Sequence, residues 1–287
     1  MKRIPLLLAA LGVVSAAAYA APELRVTSIG QTLAVENTSG AENIGEAVQF
    51  VNKLGLAYGE DWSFSFLARK TWSASTDEYV KGGETYSDGF KSVNHRMEIV
   101  ATRKFGDYSA ALKWRAQKDY DRLQVPVSYK FGMFSGNIAP GYQFNNTTGG
   151  QDAFFMDGEP LQVNVGPVQL AYWLEYTKST GDVAADKNAH DYRNQIRLRG
   201  TLYSTEDYKI GAEYRYQFLN DVELGNGKDG VENNRHIVIV NAAYNLTENL
   251  VIDGYYEYDF NKYEINDGKA KADDYYGELG FGWTYKF

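Results

Sequence analysis

The chain ends with the sequence Tyr275-Tyr276-Gly277-Glu278-Leu279-Gly280-Phe281-Gly282-Trp283-Thr284-Tyr285-Lys286-Phe287, which alternates in character from one residue to the next. The odd positions are aromatic or aliphatic apart from Gly277, whereas the even positions are mostly small or polar. Successive side chains of a β-strand point to opposite faces of its sheet, so this period of two predicts one apolar and one polar face. The carboxy-terminal segment is therefore predicted to be a long amphipathic strand.

The same period of two recurs along the chain, most clearly in residues 208–218 and 250–260. The predicted strands are longer than the roughly 5 to 6 residues that are usual in soluble sandwiches. Short turns, such as Gly106-Asp107, alternate with longer polar connections. Long strands with short turns at one end and long loops at the other predict an all-β fold. Its form is a transmembrane, antiparallel, up-and-down β-barrel.

Counting the connections gives 14 strands, and two segments leave 12 as an alternative. Residues 24–35 alternate poorly, and residues 153–165 contain Asp157, Gly158 and Pro160 inside a predicted strand. Barrels of about 8 strands are filled by their own side chains, whereas about 16 to 18 strands enclose an aqueous channel. Either count therefore predicts a lumen that long side chains narrow.

The first twenty residues have the character of a secretory signal peptide. Lys2 and Arg3 precede an apolar run, and residues 18–20 (Ala-Tyr-Ala) form a small-x-small cleavage site. The predicted organisation is a signal peptide over residues 1–20 and one transmembrane barrel over residues 21–287. The whole chain has a formal net charge of −8, and removal of the two bases of the signal lowers it to −10.

Composition excludes several classes of function. Aromatic residues make up 15% of the chain and prolines number six, which argues against disorder, and the acidic balance argues against nucleic-acid binding. The absence of cysteine excludes disulfides and thiol chemistry. Beyond the signal, no apolar run approaches the ~18 residues of a membrane-spanning helix. We expect no cofactor, no metal site and no enzymatic activity.

Strand parity places most charged strand residues on one face. A charge that faces lipid at the bilayer midplane costs about 2 to 4 kcal/mol, so this one-sided placement predicts water inside the barrel. The bases assigned to the inner face are Lys53, Arg69, Arg96, Lys113, Arg115, Arg122, Lys130, Arg193, Arg197, Arg199, Lys209 and Arg215. The acids assigned to it are Glu98, Glu175, Glu213, Asp253, Glu257, Asp259 and Glu278. Four of these acids form a wall on the last two predicted strands.

The turn at residues 204–207 predicts two cross-strand pairs. Arg199 falls near Glu213, as a salt bridge that braces the wall, and Arg197 falls near Arg215. Like charges directly opposite each other are destabilising, unless water, an acid or an anionic solute lies between them. Solute contact and bracing therefore both stay open for these arginines.

Opposed charged walls predict a porin, a water-filled channel for passive diffusion of small hydrophilic solutes and ions. The acidic loops favour cations at the mouth, whereas the basic lumen favours anions. We therefore expect weak ion selectivity. The predicted location is the outer membrane of a Gram-negative cell, with both termini periplasmic. Outer-membrane lipid and lipopolysaccharide are the expected surroundings, and a homotrimer is one assembly that these surfaces allow.

The final residues, from Gly280 to Phe287, resemble the carboxy-terminal signal that the barrel assembly machinery reads, with Phe287 as its last residue. With its Tyr-rich faces and strand number, the chain resembles the fusobacterial major outer-membrane porins, which implies a general diffusion pore. The interior arginines also resemble those of the channels for oligogalacturonates, which implies an acidic-oligosaccharide-specific channel. The acidic wall from Asp253 to Asp259 favours the general porin, because it would repel a polyanion.

Two further classes remain as alternatives, an adhesin or purely structural barrel and an outer-membrane hydrolase. A hydrolase would need a serine, a histidine and an acid or amide close together near the outer rim. His95, His190 and His236 each lie near the loop end of a predicted strand, but no serine stands at a suitable spacing.

Overall fold

The computed structural model describes residues 23–38, 47–81, 83–148, 150–185, 187–265 and 274–287. The predicted signal peptide lies outside these residues. In chain order the strands are β1 (Leu24–Thr38), β2 (Ala47–Tyr58), β3 (Trp62–Lys81), β4 (Glu84–Phe105), β5 (Tyr108–Gln117), β6 (Tyr120–Gln124), β7 (Val127–Phe131), β8 (Phe134–Asn145), β9 (Ala153–Val165), β10 (Val168–Ser179), β11 (Asn188–Ser204), β12 (Tyr208–Leu224), β13 (Val231–Asn245), β14 (Leu250–Ile265) and β15 (Asp274–Lys286). No helix of the described part is long and apolar enough to span a membrane.

The strands form one closed antiparallel barrel, since β15 returns to pair with β1, as in Val35 opposite Leu279. β6 and β7 are two halves of a single barrel strand between β5 and β8. They are separated at Val125 and Pro126, because proline has no N–H for the ladder. Backbone hydrogen bonds continue across the break, since the Val125 amide donates to the Pro140 carbonyl at 2.8 Å. The fifteen segments thus make 14 barrel strands, which confirms the predicted all-β barrel.

The doubtful segment at residues 153–165 is a strand with a bulge. Tyr172 lies opposite Leu161 and Leu174 opposite Gly158, so two residues of β9, Glu159 and Pro160, face one residue of β10. The missing N–H of Pro160 therefore falls where the ladder is already interrupted. The Pro160 carbonyl accepts a hydrogen bond of 2.9 Å from the Tyr129 hydroxyl.

Hydrogen bonds that skip a strand identify the concave face of the barrel. The Gln124 amide on β6 donates to Asp157 on β9 at 2.8 Å, across β8. The Gln49 amide on β2 donates to Glu278 on β15 at 3.3 Å, across β1. Polar side chains of alternate strands converge in this way on the inside of a curved sheet. Apolar side chains occupy the convex face, where Phe281 is 62% exposed.

Aromatic residues gather at the rim formed by the short turns. Tyr208 and Tyr244 stack with ring centroids 4.6 Å apart, and Tyr108 meets Phe131 edge to face at 5.0 Å. Amphipathic rings at one rim are typical of an interfacial girdle. The rim aromatics that are exposed to solvent are Tyr58, Trp62, Phe105, Tyr108, Phe131, Phe134, Tyr203 and Tyr208.

The sequence pattern suggests a short turn over residues 134–136 and a long polar loop over roughly residues 75–91, and the structure differs at both places. The turn near residue 134 consists of Gly132 and Met133, because Gly132 adopts a left-handed φ of 55°, and Phe134 already belongs to β8. Residues 75–81 and 84–91 continue the β3–β4 ladder as a hairpin, and Gly83 between them has a left-handed φ of 87°. The polar composition of this segment concealed its extended backbone.

Candidate functional site

Three bases converge on one carboxylate on the concave face of β4 and β5. In this Glu98 cluster (Arg96, Glu98, Lys113 and Arg115), Arg115 Nε lies 2.6 Å from Glu98 Oε1 and Lys113 Nζ lies 3.8 Å from Oε2. Arg96 also pairs with Glu98. The register causes this convergence, because Glu98 lies directly opposite Arg115. The cluster carries an excess of positive charge.

Arg69 and Arg122 flank the Glu98 cluster on the neighbouring strands. Arg122 lies opposite Arg115, and its Nε donates to Gln143 Oε1 at 2.7 Å. Its guanidinium carbon is 3.5 Å from the ring centroid of Phe155. Arg69 Nη1 donates to Gln49 at 2.9 Å. Within the described residues, neither Arg69 nor Arg122 has a carboxylate within 4.0 Å.

A second group of three bases, on β11 and β12, is paired with two acids. This Glu159 cluster contains Glu159, Arg197, Arg199, Glu213 and Arg215. Arg197 Nη1 and Arg199 Nη1 lie 2.8 Å from the two oxygens of Glu159. Arg215 Nε lies 2.6 Å from Glu213, which is 3.2 Å from Arg199.

The structure confirms the predicted register of these two strands. Arg199 is opposite Glu213, and Arg197 is opposite Arg215. The separation of the like charges comes from acids of the chain itself, since Glu159 holds Arg197 and Glu213 holds Arg215. Of the alternatives left open by the sequence, these contacts favour bracing of the wall.

The remaining predicted bases are more scattered. Arg193 Nε donates to Asp191 at 3.0 Å, and Arg193 Nη1 lies 3.6 Å from Glu175. Lys130 is exposed near the short-turn rim opposite Ser135, and none of the ion pairs of the described residues includes it. These two bases do not join either cluster.

Two acids of the predicted wall, Glu257 and Glu278, stand in register with a third carboxylate that was not predicted. Glu36 on β1, Glu278 on β15 and Glu257 on β14 are direct cross-strand neighbours, and we call them the acidic row. Glu278 accepts hydrogen bonds from Tyr255 and from Tyr276, the latter at 2.9 Å. Glu257 Oε2 lies 3.9 Å from Nη1 of Arg215, a base of the Glu159 cluster.

The other two acids of the wall have different surroundings. Asp259 is fully buried and pairs with Arg235. Asp253 lies opposite Gly282 and Ala243, and no described base pairs with it. Of these two acids of β14, Asp259 is thus paired with a base, whereas Asp253 has no base among the described residues.

Sequence reasoning missed Glu159, Glu36 and Arg235. Glu159 was missed because the bulge in β9 reverses the parity that Leu161, Val163 and Val165 establish. The charged residues beside Pro160 were the available signal, since a bulge is where a proline fits a strand. Glu36 lies in β1, whose ladder shifts register between Val26 and Ser28.

The histidines form no arrangement for nucleophilic catalysis within the described residues. His236 Nδ1 is bonded to the Tyr214 hydroxyl at 2.7 Å, and His95 lies opposite Lys70 on the convex side of β4. No described hydrogen bond links a histidine ring to a serine or threonine hydroxyl. The described residues also contain no group of three or more acids or histidines that could hold a metal ion.

Comparison with known proteins identifies the fold. No protein-family model matches the chain, and no curated protein matches it. Among solved structures, it is similar to a bacterial polysaccharide outer membrane secretin, with a TM-score of 0.54 and 8% identity over 91% of this chain and 98% of that one. The chain has the fold of an outer-membrane β-barrel.

Two porin structures align over similar lengths with lower scores. The anion-selective porin from Comamonas acidovorans has a TM-score of 0.48 and 12% identity over 92% of this chain and 100% of its own. The KdgM porin in complex with disordered oligogalacturonate has a TM-score of 0.41 and 12% identity over 91% of this chain and 99% of its own. Likeness to the fusobacterial porins in particular is not shown by these alignments.

Proposed function

We propose that the protein is an outer-membrane porin, which forms a water-filled channel for passive diffusion of small hydrophilic solutes and ions and has no enzymatic activity. The observation that carries this proposal is the sorting of charge between the two faces. Charged side chains of the concave face keep part of their surface exposed, 36% for Arg193 and 28% for Arg199. Charges need water, whereas the apolar convex face suits lipid.

The proposed pore has a polar solute path between unlike walls. The Glu98 cluster with Arg69 and Arg122 makes one arc basic, and the acidic row makes another arc acidic. Such walls orient dipolar solutes and hinder apolar ones, and their opposite signs give weak ion selectivity. The concave charged residues predicted from the sequence, from Arg69 to Glu278, are proposed to line this path, except Asp259, which is fully buried and was wrongly assigned to the lumen surface.

Planar-bilayer recording tests the proposal directly. Refolded protein is expected to insert with discrete conductance steps, because a closed 14-stranded barrel encloses a lumen. In a salt gradient the reversal potential should stay close to zero. The same detergent without protein is the control, and well-folded protein that inserts without any conductance would contradict a porin.

An acidic-oligosaccharide-specific channel is the second candidate, favoured by the positive excess around Glu98. Arginine forks bind carboxylates with two parallel hydrogen bonds. The acidic row acts against this candidate, because its three carboxylates repel a polyanion. Block of the conductance by oligogalacturonate at low concentration, without block by a neutral oligosaccharide of equal length, would favour the specific channel.

The proposed cellular context rests on the residue pattern of two segments. We propose that residues 1–20 direct export and that Phe287 ends the signal read by the barrel assembly machinery. Both termini would then be periplasmic, with lipopolysaccharide around the opposite rim. Truncation of Phe287 should reduce the assembled barrel in outer-membrane fractions.

A polar pair on the convex face supports the proposed homotrimer. The Gln31 amide donates to Asn52 at 2.9 Å, between apolar neighbours such as Leu33 and Phe50 on the same faces of β1 and β2. Amide groups without further partners are costly in hydrocarbon. Because amides both donate and accept, three copies of this pair can bond to one another where the subunits of a trimer meet around its three-fold axis.

We expect the double substitution Gln31→Leu with Asn52→Leu to convert a trimer to monomers. The measurement is the molar mass of the protein–detergent complex by analytical ultracentrifugation. The paired control is Leu170→Val with Leu198→Val on the convex face of β10 and β11, which should leave the mass unchanged. A leucine variant with the full wild-type mass would place the interface elsewhere.

A further inference from the structure

We infer that the Glu98 cluster, with Arg122 beside it, is a binding site for the carboxylate or phosphate group of anionic solutes. The inference deepens the proposed pore function and rests on it. The Glu159 cluster, by contrast, is a brace of the barrel wall. The two clusters look alike in sequence, but their charges are balanced differently.

Each cluster includes or adjoins a pair of arginines that lie directly opposite each other. Arg115 lies opposite Arg122 on β5 and β6, and Arg197 lies opposite Arg215 on β11 and β12. Arginines directly opposite each other repel unless an anion offsets their charge. In the second pair each arginine contacts a different acid, Glu159 or Glu213, and both acids also contact Arg199.

The first pair lacks such an arrangement. The acid of Arg115 is Glu98, which stands on β4, on the side away from Arg122, and is shared with Arg96 and Lys113. Arg122 has no described carboxylate within 4.0 Å. Acids of the chain supply the negative charge beside Arg197 and Arg215. Between Arg115 and Arg122, an anionic solute would supply it.

Arg122 is held in place for such a contact. Its guanidinium lies 3.5 Å from the ring centroid of Phe155 and 4.5 Å from that of Tyr120. Phe155 is 2% exposed, so this support is firmly packed. The arginine is therefore oriented before a solute arrives, which reduces the entropy lost on binding.

Donors remain for the solute on both arginines. A guanidinium carries five N–H groups. In the described contacts, Arg122 uses Nε toward Gln143 and Arg115 uses Nε toward Glu98, which leaves the terminal nitrogens of both for a ligand. Their planar forks match the two oxygens of a carboxylate or phosphate. A neutral sugar offers no charge to this site.

The test measures block of the potassium chloride conductance by inorganic phosphate and, separately, by galacturonate, with galactose as the neutral probe. For Arg122→Gln and Arg115→Gln, we expect the half-blocking concentration of either anion to rise about tenfold, the loss of one charge-assisted hydrogen bond. Glu98→Gln should lower it, because three bases lose their internal anion. Opposite shifts cannot arise from general disruption of the barrel.

Arg197→Gln is the matched comparison, since it removes the same charge from the braced pair. We expect it to shift the reversal potential but to leave both half-blocking concentrations unchanged. Equal weakening of block by Arg197→Gln and Arg122→Gln would overturn a local site in favour of a general lumen potential. Conductance without anion block would overturn the site and leave the porin intact.

Equilibrium titration of phosphate into the refolded protein in detergent keeps the two proposals separate. Binding that Arg122→Gln weakens and Glu98→Gln strengthens supports the site even if no conductance is seen, which would overturn only the porin. Absence of binding in the wild-type protein overturns the site. If Arg122→Gln fails to refold, Glu98→Gln still gives a result of predicted sign.

Discussion

Replacing Glu159 by glutamine is expected to lower the free energy of unfolding of the barrel by about 3 kcal/mol, the low end of the loss when one partner of a buried ion pair is removed. Glu159 is 7% exposed and holds both Arg197 and Arg199. Without it, Arg197 faces Arg215 with its charge uncompensated. The low end applies because the Arg199 side chain is 28% exposed, so water screens part of the charge.

Urea titration in detergent micelles, followed by tryptophan fluorescence, measures this change. Glu206→Gln makes the same chemical substitution in an exposed turn, and it should stay within about 0.5 kcal/mol of the wild type. The double variant Glu159→Gln with Arg197→Gln should recover part of the lost stability, because it removes the base that was left unpaired. If Glu159→Gln is as stable as Glu206→Gln, Glu159 does not brace the wall.

The barrel itself was predictable because its signal is local. A period of two is written into each strand, as in the last residues from Leu279 to Tyr285, and it requires no knowledge of the partners of a strand. Lipid on one side and water on the other keep that pattern clean. The strand number followed from the alternation of short turns and longer connections, and the structure bears out 14.

The Glu159 cluster was only partly predictable because it depends on a change of register. Reading outward from Leu161 to Val165 assigns Glu159 to the apolar face, and the bulge at Pro160 moves it to the concave face. Such a bulge is set by contacts between strands, including the hydrogen bond from Tyr129. The cross-strand pair of Arg199 and Glu213 needed only one hairpin, so the sequence was sufficient for it.

Arg235 was missed for a different reason. The strand that carries it has apolar residues of both parities, from Ile237 to Val240, so alternation does not tell the two faces apart. Ile237 and Ile239 are buried on the concave face, at 4% and 8% exposure, beneath the charged side chains of the neighbouring strands. The register with the neighbouring strands identifies the inner side, since Ile237 lies opposite Arg215 of β12 and Asp259 of β14.

The same strand allows the sharpest test of which face meets lipid. Val240→Arg is expected to destabilise the protein in a phospholipid bilayer by about 2 to 4 kcal/mol, the cost of a lipid-facing arginine near the midplane. Val240 is five residues from the end of β13 at Asn245. At ~3.4 Å per residue and a tilt of ~40°, it lies about 13 Å above the rim, near the middle of a ~25 Å apolar band.

Asn241→Arg is the matched control, because the next residue of the strand points to the opposite face. Val240 is 46% exposed on the convex side. Asn241 lies opposite Tyr255 and Gly211, which belong to the concave face. An arginine at residue 241 keeps its contact with water, so its cost should stay within about 0.5 kcal/mol. The measurement is guanidinium-induced unfolding of both variants in the same bilayer. Equal costs for the two would mean that β13 does not have one face in lipid and one in water.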